Sequence, residues 1–164
     1  MQLSEKIRKC LKEGQKGERH KGLRKAKGRD SDGHVKKAIH NYDAMKFFHD
    51  NGYSDWSASA AFYTLYHLLL GLLAAKGYES RNQSCTFAMV ESMIEKKEIS
   101  LTKEELKEIY DGDVTEELAH SDKILDIRER MQYSIQTSLE EEEYQALRQR
   151  TQQLLSKLRQ EVEG

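Results

Sequence analysis

Residues 54–76 read SDWSASAAFYTLYHLLLGLLAAK, and from Trp56 to Ala75 no side chain carries a fixed charge. Coiled as a helix, the stretch extends about 30 Å, which suits a bundle core and a membrane span alike. Ser57, Ser59, Tyr63, Thr64, Tyr66 and His67 interrupt it, and spans are more uniformly apolar than that. It is therefore expected at the centre of a helical bundle, because a helix apolar nearly all round needs neighbours on several sides. Two seams run along it. One carries Trp56, Ala60, Tyr63, His67, Leu70 and Ala74, the other Ala58, Phe62, Leu65, Leu69 and Leu72. The first holds the polar groups and is the seam on which a function would sit.

The surroundings agree with an all-α chain. Among 164 residues, 34% are charged, 8% are aromatic and none is proline, a balance that favours helix over sheet. A net charge of −1 gives no global pull toward nucleic acid, so any such affinity must be local. Cys10 and Cys85 show no paired spacing, which predicts free thiols and a cytoplasmic location. The six histidines lack metal-ligand spacing, so neither a metal nor another cofactor is expected.

Outward from the central rod, the reading is an up-and-down bundle of about five to six helices. Residues 1–32 form a basic N-terminal extension and residues 33–164 the bundle. Within residues 1–30, eleven Lys or Arg stand against four Asp or Glu, an arm for RNA or an acidic partner, or simply a solvated extension. A short amphipathic helix fits Ser4 to Glu13. The next runs from His34 to Asp50, where Asn51 and Gly52 supply a left-handed stop and Tyr53 leads straight into the central helix. Gly77 ends that helix in the same way. Glu79 to Thr86 reads as a polar loop, followed by a helix through Phe87, Val90, Met93 and Ile94. Thr102 opens another helix with a capping box to Glu105, ending at Asp111-Gly112-Asp113. A helix from Thr115 to Gln132 buries Leu118, Ile124, Leu125, Ile127 and Met131. The last starts at Ser138, with a second capping box to Glu141, and turns Tyr144, Leu147, Thr151, Leu154 and Leu158 inward.

Few residues stand out chemically. Arg128 has no carboxylate within helical reach, so its guanidinium takes either a phosphate or a carboxylate on another helix. Arg130 has Asp126 four residues behind it, enough for a surface pair. Tyr133 falls where the helix frays, either anchoring its end or acting on a ligand. His67 is either a satisfied core histidine or an acid–base group. No glycine-rich phosphate loop, nucleophile elbow or paired metal motif is present.

Taken in order, Cys10-Leu-Lys-Glu-Gly, Asn51-Gly-Tyr-Ser-Asp-Trp, Phe62-Tyr-Thr-Leu-Tyr-His67, Gly77-Tyr-Glu-Ser-Arg-Asn-Gln-Ser-Cys85 and Arg128-x-Arg-x-x-Tyr133 resemble the HEPN domain. The resemblance implies a helical bundle that forms a homodimer, encoded beside a minimal nucleotidyltransferase as a toxin–antitoxin pair. It also implies nucleotide or RNA bound around Arg128, with Arg130, His67 and Tyr63 as further contacts. Many such domains are metal-independent ribonucleases in which an arginine is followed four to six residues on by a histidine. Here Arg128 matches the arginine, the place five residues on is Tyr133, and no histidine occurs after His120. Where related chains often carry Ser-His, this one has Asn82-Gln83. Arg128 and Tyr133 would then be the catalytic pair, and a tyrosine in place of imidazole would cost ~100-fold or more near neutral pH. Tyr133 could instead accept an adenylyl group, as a tyrosine near this motif does in related systems.

Overall fold

The computed structural model describes residues 1–17, 21–26, 30–110 and 124–164. Among them are seven helices and one two-stranded ribbon: α1 Leu3–Gln15, β1 Leu23–Lys25, α2 Ser31–Asp50, α3 Ser54–Ala75, β2 Tyr78–Ser80, α4 Gln83–Glu95, α5 Lys103–Ile109, α6 Ile124–Tyr133 and α7 Glu141–Glu163. The fold is all-α. The expected start of the fifth bundle helix at Thr115, with Leu118, and the expected stop at Asp111-Gly112-Asp113 lie outside the described residues.

The central rod is α3. It packs most extensively on α2 and also meets α7, α6, α4, α5 and β2. It is long and apolar enough to cross a membrane, but most of its apolar window is buried inside the protein. The seam of Ala58, Phe62, Leu65, Leu69 and Leu72 is completely dry. The other seam is covered unevenly: Ala60 and Ala74 are buried, His67 and Leu70 half-buried, and Trp56 and Tyr63 exposed. Hydroxyls inside the rod are satisfied locally, as burial demands. Ser57 donates to the Met45 carbonyl on α2 and Thr64 to the Ala60 carbonyl one turn back, both at 2.8 Å.

The α2–α3 hairpin turns at Gly52, whose φ of +85° is the left-handed conformation that spares a glycine any Cβ clash. The Tyr53 N–H donates to the Phe48 carbonyl at 2.7 Å across this turn. At α5 the capping box is complete, with Thr102 and Glu105 each accepting the other's backbone N–H.

Three expectations are corrected. Tyr78–Ser80 is a strand rather than loop, pairing antiparallel with β1 in the register Leu23 to Ser80, Arg24 to Glu79 and Lys25 to Tyr78. The helix after it starts at Gln83, capped by the Asn82 side chain accepting from the Cys85 N–H. The last helix starts at Glu141, not Ser138, with Glu140 at the cap position and no side-chain cap. Leu139 is buried and its N–H donates to Ser54 Oγ at 2.8 Å, which holds this stretch to the start of α3 and off the helical path.

The thiols are not free. Cys10 on α1 and Cys85 on α4 form a disulfide, their Cα atoms 5.8 Å apart and 75 residues apart in sequence. Unpaired cysteines therefore no longer point to a reducing compartment. Beside the disulfide, backbones touch: a Cβ at Gly14 would sit 1.8 Å from the Leu23 carbonyl oxygen, and one at Gly22 would sit 2.3 Å from that of Cys10. Only glycine permits such an approach.

Candidate functional site

The half-exposed seam of α3 ends in a groove. Trp56, Ser59 and Tyr63 lie at helical spacing along one wall; α6 supplies Arg128 and Gln132 opposite, and residues 134–137 close one side. The enclosed volume is about 490 Å³, within the range of small-molecule sites. Two rims are apolar and open, Trp56 at 58% exposure and Ile135 fully exposed. Asp55 also lines the groove, a hydrogen-bond acceptor at its edge.

Among the described residues, Arg128 is the one cation lining this groove. Its guanidinium carbon lies 4.0 Å from the centroid of the Phe62 ring and 5.7 Å from that of Tyr63. A flat cation over an aromatic face is attracted by the ring quadrupole, worth roughly 0.5–2 kcal/mol. Nε is buried without a hydrogen-bond partner, and no carboxylate among the described residues pairs with this arginine. Phe62, fully buried, thus serves as platform as well as core. Its place on the dry seam gave no hint of that second role.

The other sequence candidates are scattered, for reasons of helix phase. Tyr63 shares the groove. Arg130, two residues beyond Arg128, is turned about 200° around α6 and pairs with Glu143 of α7. That corrects the expected pair with Asp126, which is buried with Oδ1 unpartnered. Tyr133 is turned about 140° from Arg128, stands 77% exposed and does not line the groove.

His67 lies elsewhere, with its Nδ1 3.1 Å from Nδ1 of His34 on α2. One ring must donate and the other accept, so the accepting ring is neutral. Burial, with help from His34 and Lys37, pushes the His67 pKa down to about 4, and burial lowers His34 as well. Tyr66 is a packing residue with a satisfied hydroxyl: its Oη lies 3.1 Å from Thr86 Oγ1, which donates to Ser80 Oγ at 2.7 Å.

The arrangement can hold a planar, anionic ligand. Arg128 offers a charge-assisted donor for a phosphate, Trp56 and Tyr63 offer ring faces, and Asp55 and Gln132 offer polar edges. The family model described as HEPN domain matches residues 32–161, from the start of α2 almost to the end of α7. The chain belongs to the HEPN family. In general terms this makes it a nucleotide- or RNA-related module. No curated protein matches the chain. The HEPN match leaves out α1 and β1 and takes in both walls of the groove.

Proposed function

We propose that this HEPN domain binds a nucleotide or RNA in the Arg128 groove as a homodimer, and that it is the partner of a minimal nucleotidyltransferase in a toxin–antitoxin-type pair. The observation that carries the reading is Arg128 itself: a half-buried guanidinium on the Phe62 ring, in a groove of ligand size, without a carboxylate partner among the described residues. A purely structural arginine would be expected to be paired as Arg130 is. Dimerisation is supported by Phe47, Tyr53 and Trp56, which stand exposed around the α2–α3 turn next to the groove. Clustered exposed aromatics mark interaction surfaces. The nucleotidyltransferase partner rests on the family resemblance alone.

Binding is favoured over cleavage, because Tyr133 points away from the groove and no histidine among the described residues lines it. The test is equilibrium binding of mononucleotide and of single-stranded RNA to the full chain, with Arg128→Ala beside it. Loss of a charge-assisted contact of about 1.5–3 kcal/mol predicts affinity weaker by roughly ten- to a hundredfold, beside a loss of stability no larger than the roughly 0.5–2 kcal/mol of the ring contact. Equal binding by both proteins would overturn the reading. Sedimentation equilibrium tests the dimer, and co-purification with a co-expressed minimal nucleotidyltransferase tests the pairing.

A further inference from the structure

The charge of the chain is divided unevenly along the sequence. Its eleven Lys and Arg against four Asp and Glu leave residues 1–30 at +7, and the other sixteen cations against twenty-four carboxylates leave the remainder at −8. Simple attraction would lay these cations on the acidic bundle. Instead α1 turns its apolar side inward, burying Cys10 and Gly14 with Leu3, Ile7 and Leu11 partly covered, and holds its cations outward. Arg8, Lys9, Lys12 and Lys16 are all exposed and fall within an arc of about 100°. Arg8, Lys12 and Lys16 succeed one another at single-turn steps of about 6 Å.

The carboxylates near this arc are local. Glu5 pairs with Lys9 at 3.7 Å and Glu13 with Lys16 at 3.3 Å, both exposed, and such pairs are worth only ~0.3–0.5 kcal/mol. Among the described residues no ion pair joins these four cations to the bundle, and Arg8 and Lys12 have none at all. Lys25 on β1 adds a further exposed cation. The helix that carries the face is fixed: it is bound to α4 by the Cys10–Cys85 disulfide and crosses β1 at backbone contact, and β1 is paired with β2.

We propose that this outward face of α1 is a docking surface for the phosphate backbone of RNA. α1 packs on β1 and α4, and β1 pairs with β2 just past the C-terminal end of α3, whereas the groove is built on residues 55–63 near the other end. A single RNA reaching both would lie along a rod about 33 Å long. RNA is favoured over an anionic membrane because, with Met1 ahead of the helix as the exception, no large apolar side chain of α1 is exposed, and a helix lying in a bilayer surface needs an apolar face outward. The choice of RNA among polyanions rests on the groove reading of the preceding section.

The test uses the full chain with its disulfide intact. Binding of a long single-stranded RNA and of a mononucleotide is measured against salt for wild type, for Arg8→Gln/Lys12→Gln/Lys16→Gln, and for Arg128→Ala. Three lost phosphate contacts predict that the slope of log affinity against log salt flattens by ~2 for the long RNA. Mononucleotide binding and the melting curve should be unchanged. A Lys12→Arg/Lys16→Arg variant, which keeps the charge, should bind long RNA as wild type does.

An unchanged slope and affinity in the Gln variant would overturn the proposal. So would co-sedimentation with phosphatidylserine vesicles that depends on these three residues while RNA binding does not. If Arg128→Ala leaves mononucleotide binding intact but the Gln variant still loses its salt slope, the groove reading fails and the α1 face stands.

Discussion

The two ends of α3 receive similar residues and treat them differently. Toward its C-terminus the side chains find partners inside the fold: His67 meets His34, Tyr66 meets Thr86, and the β1–β2 ribbon packs beside the end of the rod. Near its N-terminus Trp56 and Tyr63 stand open beside Arg128. What a side chain does on this helix is decided by what packs over it, and its residue type only sets the options. The same lesson separates Arg128 from Arg130, two residues apart on α6, one over an aromatic ring and the other tied to Glu143.

The largest expected effect falls on the closed end. Cys10→Ser/Cys85→Ser removes a cross-link over 75 residues, and chain entropy puts its stabilisation at about 4 kcal/mol. Denaturant melts should show that loss, with the groove's ligand affinity unchanged in the folded protein. If affinity falls in parallel, the two ends are coupled and the contrast breaks.

At the open end, Phe62→Leu keeps most of the core volume, costing about 1–1.5 kcal/mol of stability. It also withdraws the face under Arg128, and nucleotide affinity should drop several-fold by titration. Arg130→Ala, by contrast, should weaken the fold and leave affinity alone.

Smaller effects come from pH, with opposite signs at the two ends. His67 is held near a pKa of about 4 against 6.5 unfolded. Between these values the unfolded chain binds the extra proton, so stability is complete above pH 6.5 and lost as pH falls toward 4. After discounting for half-exposure this amounts to about 1–2 kcal/mol, and melts of wild type and His67→Gln across that window should differ accordingly. At the hairpin end, His49 stacks on Tyr144 with rings 3.6 Å apart, its Nε2 bonded to Glu141 at 2.8 Å. That bond, with Asp50 on the other nitrogen, raises its pKa. Its contribution is full below pH 6.5 and fades as pH rises through the raised value, the smallest change of the set, visible as the difference between wild type and His49→Gln.

Much of the fold was legible because it is local. An uncharged run announces the rod, Gly52 announces the hairpin, and the Thr102 to Glu105 spacing announces its own cap. The early start of α4 at Gln83 comes from a local cap by Asn82, and the other errors are long-range. Three-residue strands show no alternation to detect, a disulfide over 75 residues leaves no spacing signal, and the start of α7 is set by the bond from Leu139 to Ser54. For the site, the polar seam through Trp56 and Tyr63 could be read, and so could the lack of a helical partner for Arg128. Which end of the seam stays open could not, since that depends on where α6 and residues 134–137 come to rest.

At Gly14 and Gly22 two stretches of main chain meet with no room for a methyl group. Gly22→Ala is therefore a one-carbon wedge, able to pry the N-terminal helix from its seat without touching sulfur or charge. It offers a way to ask what the N-terminal segment contributes to this HEPN protein under oxidising and reducing conditions alike.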